Sequence, residues 1–166
     1  MVMKHGLDPV VDCDSRILIL GTIPGDESIR LQRYYAHPQN KFWAILSDIY
    51  EESIDANYEE FLHRKGLALW DVLRSADRAG SRDSTIKDVV ENDFDTLFGK
   101  YSGLRAIAFN GTKAQQLFCG CLKSQPCIPH KELRMALLPS TSPTPGCYVL
   151  PYKEKVNRWR EAFLVL

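Results

Sequence analysis

The chain has 166 residues, 45% of them hydrophobic and 25% charged, the make-up of one globular domain (1–166) with a substantial core. Its 21 basic residues are balanced by 21 acidic ones. That balance excludes a uniformly basic nucleic-acid coat and leaves room only for a local basic patch on one face.

In chain order, the amino-terminal MVMKHGLDPVVDCDS has no apolar signal core, and no later run approaches the length of a membrane span. A cytoplasmic monomer without a membrane contact is expected. RILIL (16–20) reads as a buried strand that runs into GTIPG (21–25). Gly21 and Gly25 permit close backbone approach or positive φ, and Pro24 fixes one dihedral. Such a loop can offer N–H groups to an anion or carbonyl, or it can be an ordinary turn; it is not a P-loop, because G-x4-G-K-[ST] is absent.

QRYYAHPQNKFW (32–43) follows, crowded with flat rings and an amide. PQNKFWAILSDIY predicts a helix with Phe42, Leu46, Ile49 and Tyr50 on one side and Pro38 in the first turn. Phe42 and Trp43 fit the buried face of that helix. Tyr34, Tyr35, His37 and Asn40 precede or begin it. His37 as a cap and Asn40 as a solvated first-turn residue are one reading. An aromatic face and an amide gripping a flat heterocycle are the other. NYEEFLHRKG predicts the next helix, with Asn57 as N-cap, Glu60 three residues on and Gly66 as the stop.

GLALW (66–70), RAIAF (105–109) and MALLP (135–139) complete a set of four continuous apolar strands, the pattern of strands covered on both faces. Asp71 directly follows the second, as a helix N-cap or as a group that orients a ligand or a neighbouring loop. Asn110 ends the third, as a turn residue or as a reader of a base edge. TKAQQLF predicts a short helix, and YKEKVNRWREAFLVL a final one with Val156, Trp159 and Phe163 on one face. LPSTSPT (138–144) is a proline-stiffened loop, or a set of hydroxyls for phosphate contacts. Strands alternating with helices predict an α/β fold, a three-layer α/β/α sandwich around a four-stranded parallel sheet. Ligands of such sheets bind at the carboxyl ends of the strands, where GTIPG, Asp71, Asn110 and LPSTSPT converge.

The five cysteines, Cys13, Cys119, Cys121, Cys127 and Cys147, are odd in number, so at least one stays unpaired within the chain. CGCLKSQPC (119–127) has a C-x-C-x5-C spacing unlike the zinc patterns, and no metal is expected there.

Together GTIPG, YYAHPQNKFW, LWDVL, AFNGTKA and LPSTSPT, in that order and spacing, resemble the uracil-DNA glycosylase superfamily. The resemblance runs from about Arg16 to the last helix and is strongest to its hypoxanthine-DNA (deoxyinosine) glycosylase group. Relatives that act on mismatched thymine and uracil usually carry an asparagine at the third position of G-x-x-P-G; here that residue is Ile23, which cannot polarise water. In the hypoxanthine group the asparagine of the later block is catalytic, which implies Asn40. The resemblance further implies that Tyr35 stacks on a flipped base and that Phe42 and Trp43 anchor the segment. Gly21, Thr22, Ile23, Pro24, Gly25, Asp71 and Asn110 would line the base pocket. Ser140, Thr141 and Ser142 would touch the DNA backbone, with Lys113 on a phosphate. The implied enzyme is a monofunctional DNA-repair glycosylase without metal or cofactor, acting on DNA that contains a deaminated base. Hypoxanthine is the expected substrate; uracil or mismatched bases are the alternative, and a non-catalytic α/β nucleotide- or DNA-binding domain is the third reading.

Overall fold

The structure, a computed structural model, describes residues 3–77, 86–126, 128–129, 132–143 and 150–166. Its elements in chain order are β1 (Met3–His5), β2 (Ile17–Gly21), α1 (Asp26–Leu31), α2 (Phe42–Tyr50), α3 (Tyr58–Arg64), β3 (Leu67–Asp71), β4 (Leu73–Asp77), β5 (Lys87–Glu91), α4 (Phe94–Lys100), β6 (Ala106–Asn110), α5 (Thr112–Ser124), β7 (Arg134–Leu138) and α6 (Tyr152–Val165). The four apolar runs form one parallel sheet in the order β3-β2-β6-β7, flanked by helices as expected. Leu18, Ile19 and Leu20 of β2 are fully buried, as are Leu67 to Leu69 of β3 and Ile107 to Phe109 of β6. Strands covered on both faces have no need of alternation, so continuous apolar runs are what the sheet selects. No helix among the described residues is long and apolar enough to cross a membrane.

The register levels the carboxyl ends of the strands. Gly21 pairs with Asp71, Leu20 with Phe109, and Asn110 with Leu138. Gly21, Asp71 and Asn110 therefore stand at one edge of the sheet, at adjacent strand ends.

Several local expectations are corrected. Asp71 is the last residue of β3 and caps no helix; Val72 N–H donates to Gly21 O (2.9 Å), Leu73 N–H to Thr22 O (3.0 Å), and the chain continues into β4. β4 belongs to a second, antiparallel sheet, β1-β4-β5, which the sequence hides: β5 (KDVVE) is exposed over most of its length and has no apolar run. α2 starts at Phe42, so Pro38 lies upstream, in the turn that the Asn40 N–H closes on His37 O (2.8 Å). Asn57 stands at the N-cap position of α3, but its side chain makes no capping bond. β7 is an edge strand: Met135 and Leu137 are 38% and 47% exposed, not covered on both faces. The short helix predicted from TKAQQLF runs on to Ser124 and absorbs exposed Cys119 and buried Cys121. Cys127, Cys147 and Thr144 lie outside the described residues.

Two helices escaped notice. α1 (DESIRL) buries only Ser28 and so carries no apolar periodicity. α4 was readable: Asp93 Oδ1 accepts from Thr96 N–H (2.9 Å) as an N-cap, and Phe94, Leu97 and Phe98 bury one face.

Phe42 joins the layers. It is fully buried, stacks on Tyr35 (centroids 3.8 Å apart) and meets Trp43 and Trp159 edge-on at 4.8 and 5.7 Å. Phe42→Ala removes all three contacts and leaves a cavity beneath Tyr35. A loss of about 3–5 kcal/mol in unfolding free energy is expected, read from urea denaturation.

Candidate active site

At the carboxyl edge of the sheet lies a cleft of about 180 Å³. It is lined by Gly21 to Ser28, Tyr34, Tyr35, His37, Asn40, Asp71, Asn110 and Ser140 to Pro143. Ligand pockets for drug-sized molecules run to about 300–1,000 Å³. This one suits a single ring system and not a whole nucleotide.

Gly21 is required by close approach and not by a left-handed backbone. A Cβ there would lie 2.3 Å from Asp71 Oδ1 and 3.1 Å from Tyr35 Oη. The missing side chain is thus the space into which a carboxylate and a phenol project. Asp71 is only 3% exposed, and the buried Asn92 amide donates to its backbone carbonyl (2.8 Å).

Tyr35 reaches this point from a strained position, with φ at 53°. Non-glycine residues hold that conformation only when their surroundings fix it. Phe42 covers one ring face. The flanking chain is pinned by Trp43 Nε1–H donating to Tyr34 O (3.0 Å) and Ala36 N–H donating to Ser28 Oγ (3.2 Å). Buried Tyr34 donates its hydroxyl to the carbonyls of Leu7 (3.2 Å) and Asp8 (3.1 Å). Burial, reinforced by the negative charge of Asp71, pushes the phenol pKa of both Tyr34 and Tyr35 well above the ordinary tyrosine range.

Asn40 stands two residues before α2 and lines the cleft. Its Oδ1 accepts from Phe42 N–H (3.0 Å), which aims the amide. One Oδ1 lone pair is used; the other and the Nδ2 donors remain for a ligand or water at the cleft. His37 is exposed at the mouth, its Nδ1 accepting from Gln39 N–H (3.2 Å).

Asn110 does more than end a strand. Its Nδ2 donates to Thr141 Oγ1 (2.9 Å) and its Oδ1 accepts from Thr141 N–H (3.0 Å), so the amide clamps the loop that follows β7. Thr141 O in turn accepts from Lys41 N–H (3.1 Å). The Thr141 side chain is therefore buried, 1% exposed, inside the cleft wall and away from an outer surface. Ser140 and Ser142 flank it and are exposed. Lys113, in the first turn of α5, does not line the cleft. Sequence reasoning missed Lys155, whose Nζ donates to Ser140 O (2.8 Å), and the part of Trp159 that donates to Pro139 O (3.0 Å). Their long sequence separation from the loop left no local signal. Among the described residues no group of His, Cys, Asp and Glu gathers in a way that could hold a metal ion.

The family model of the uracil DNA glycosylase superfamily matches residues 9–162. The chain belongs to that superfamily. It is 36% identical to the hypoxanthine DNA glycosylase of Methanosarcina barkeri over 164 residues, 96% of this chain and 98% of that one. It is also 36% identical to the hypoxanthine DNA glycosylase of Methanosarcina acetivorans over 166 residues, covering 98% and 99%. A solution NMR structure of a candidate uracil DNA glycosylase from Methanosarcina acetivorans superposes with a TM-score of 0.76. It is 32% identical and covers 98% of this chain and 99% of that one.

The buried phenols make stability depend on pH. Above about pH 10 the unfolded chain loses tyrosine protons that the folded chain keeps at Tyr34 and Tyr35. Stability is therefore fully present below that pH and falls as pH rises through it. Urea midpoints between about pH 9 and 11 should decline, and Tyr35→Phe should flatten the decline.

Proposed function

We propose that this superfamily member is a monofunctional DNA glycosylase formed by one domain. It hydrolyses the N-glycosidic bond of a deaminated base flipped out of DNA, with hypoxanthine preferred and uracil second. The observation that carries this reading is the Asp71 carboxylate held over Gly21 in the wall of a base-sized cleft. Deamination of adenine or cytosine converts a ring nitrogen that accepts hydrogen bonds into a lactam N–H that donates. A carboxylate accepts from that N–H and repels the lone pair of the parent base. The curated relatives named hypoxanthine DNA glycosylase support the purine preference.

In this reading the base stacks on Tyr35, which Phe42 backs from behind. Asn40 positions water against the anomeric carbon. A carboxamide is a poor general base, so its task is orientation: the glycosidic bond breaks early, an oxocarbenium-like sugar develops, and water in place adds to it. Negative charge on the departing base is met by the 21–25 loop and by the Asn110 side-chain amide, which Thr141 holds in place. The Ile23 side chain is buried and apolar, 6% exposed, and cannot orient water. Ser140, Ser142 and Lys113 contact the DNA backbone, while Thr141 holds the loop from within. No cofactor takes part. Extrusion costs a few kcal/mol and is easiest at a weakened pair such as hypoxanthine with thymine.

Single-turnover base release from duplexes with hypoxanthine or uracil tests the proposal. Asn40→Ala should slow hypoxanthine release by at least about 100-fold with DNA affinity preserved. Wild-type-like rates in that variant would remove Asn40 from the reaction, and no release by the wild type from any duplex would leave a binding protein. Asp71→Asn replaces an acceptor-only group by one that also donates. It should lower hypoxanthine release at least about tenfold and narrow its margin over adenine. An unchanged margin would move the selectivity elsewhere.

A further inference from the structure

The chain is electrically neutral, so phosphate binding has to come from how its charges are placed around the cleft. The two sides differ. On the α1 side stand Asp26 and Glu27, each held by a cation, Lys4 at 2.5 Å and Arg30 at 2.5 Å. On the other side, around residues 139–143, stand Lys41, Lys113 and Lys155. Lys41 donates its N–H to Thr141 O, and Lys113 lies two residues beyond Gly111, where an added Cβ would sit 3.2 Å from Ser140 Cβ. None of these three lysines forms an ion pair with a carboxylate among the described residues.

Lys155 differs from the other two. It is half-buried on α6, and its ammonium is already oriented by the bond to Ser140 O. One carbonyl uses one of three donors. The same helix holds the preceding carbonyl, Pro139 O, through Trp159 Nε1. A lysine ordered in advance on a rigid helix loses little side-chain entropy when a phosphate arrives. Partial burial lowers its pKa, consistent with an ammonium that gains from an anionic partner.

We propose that Lys155 is a phosphate clamp: its ammonium bridges Ser140 O and one DNA phosphate next to the flipped nucleotide, so that the strand carrying that nucleotide runs over the 139–143 side of the cleft. It binds the DNA backbone and not the reacting atoms, and it does so while bonded to the loop that Asn110 and Thr141 fasten to the cleft wall. The inference rests on the glycosylase reading above.

The test is equilibrium binding of the full chain to a duplex carrying uncleavable 2′-fluoro-deoxyinosine, from about 50 to 200 mM salt. Lys155→Gln should weaken binding several-fold at low salt and reduce the slope of log K against log salt by about one, with Lys155→Arg retaining the slope. Replacing the clamped phosphate by an uncharged methylphosphonate should weaken wild-type binding several-fold and add nothing to Lys155→Gln. Weaker binding with an unchanged slope would make Lys155 merely structural and overturn the proposal. So would wild-type binding that no single methylphosphonate beside the lesion disturbs, a result that needs no variant to fold. Wild-type protein that binds no duplex at any salt would sink the glycosylase reading itself; binding and base release with an indifferent Lys155 would sink only the clamp.

Discussion

The parallel register of β2 against β3 and β6 is the constraint on which the cleft depends. It sets Gly21 opposite Asp71 and carries β6 one residue further to Asn110. A parallel sheet presents its strand ends as one edge, so three residues far apart in sequence meet there. Once Asp71 is placed beside β2, residue 21 has no room for a side chain, since a Cβ would fall 2.3 Å from Asp71 Oδ1. A one-residue slip would turn each of these side chains to the opposite face of the sheet. The core below the edge and the cleft above it are consequences of one register.

Two further layers fasten loops to that edge. The 34–43 segment is held from below by aromatic packing, through Phe42 on Tyr35 and Trp159 on Phe42. The loop after β7 is held from three sides: by Asn110, by Lys41 N–H and by α6 through Lys155 and Trp159. Polar groups in such a network rigidify it through the bonds they make, and the reciprocal Asn110–Thr141 pair engages the amide oxygen, one amide hydrogen and the hydroxyl oxygen together. The result is a cleft whose walls are loops with the rigidity of the secondary structure behind them.

How much was legible follows from the kind of signal each part carries. β2, β3 and β6 announced themselves because strands buried on both faces are continuously apolar, while β7 shows the same apolar run at an exposed edge; Gly21, Asp71 and Asn110 could be placed at strand ends by counting. The second sheet could not be read: β5 is exposed and β1 has three residues. Asn110 was legible as a site residue and illegible as a clamp, because its partner Thr141 is 31 positions away. Nothing local distinguishes Thr141, expected on the DNA backbone with Ser140 and Ser142, from those two exposed serines, yet it is buried. Pattern reveals which face a residue occupies; it does not reveal which distant group its polar atoms meet.

The departure at Ile23 is best understood through geometry. A loop residue after β2 and a residue in the turn before α2 both line one cleft, so a polar side chain can be supplied from either side of it. The proposed supply from Asn40 has a structural consequence. The Phe42 N–H fixes the orientation of that amide, and Phe42 belongs to the aromatic cluster beneath Tyr35. The group proposed to hold water and the ring proposed to hold the base are thereby braced by the same phenylalanine. Ile23 is buried with the core. In the proposed mechanism the water-orienting amide stands in the turn that leads into a packed helix, and its bond from the Phe42 N–H ties it to that helix.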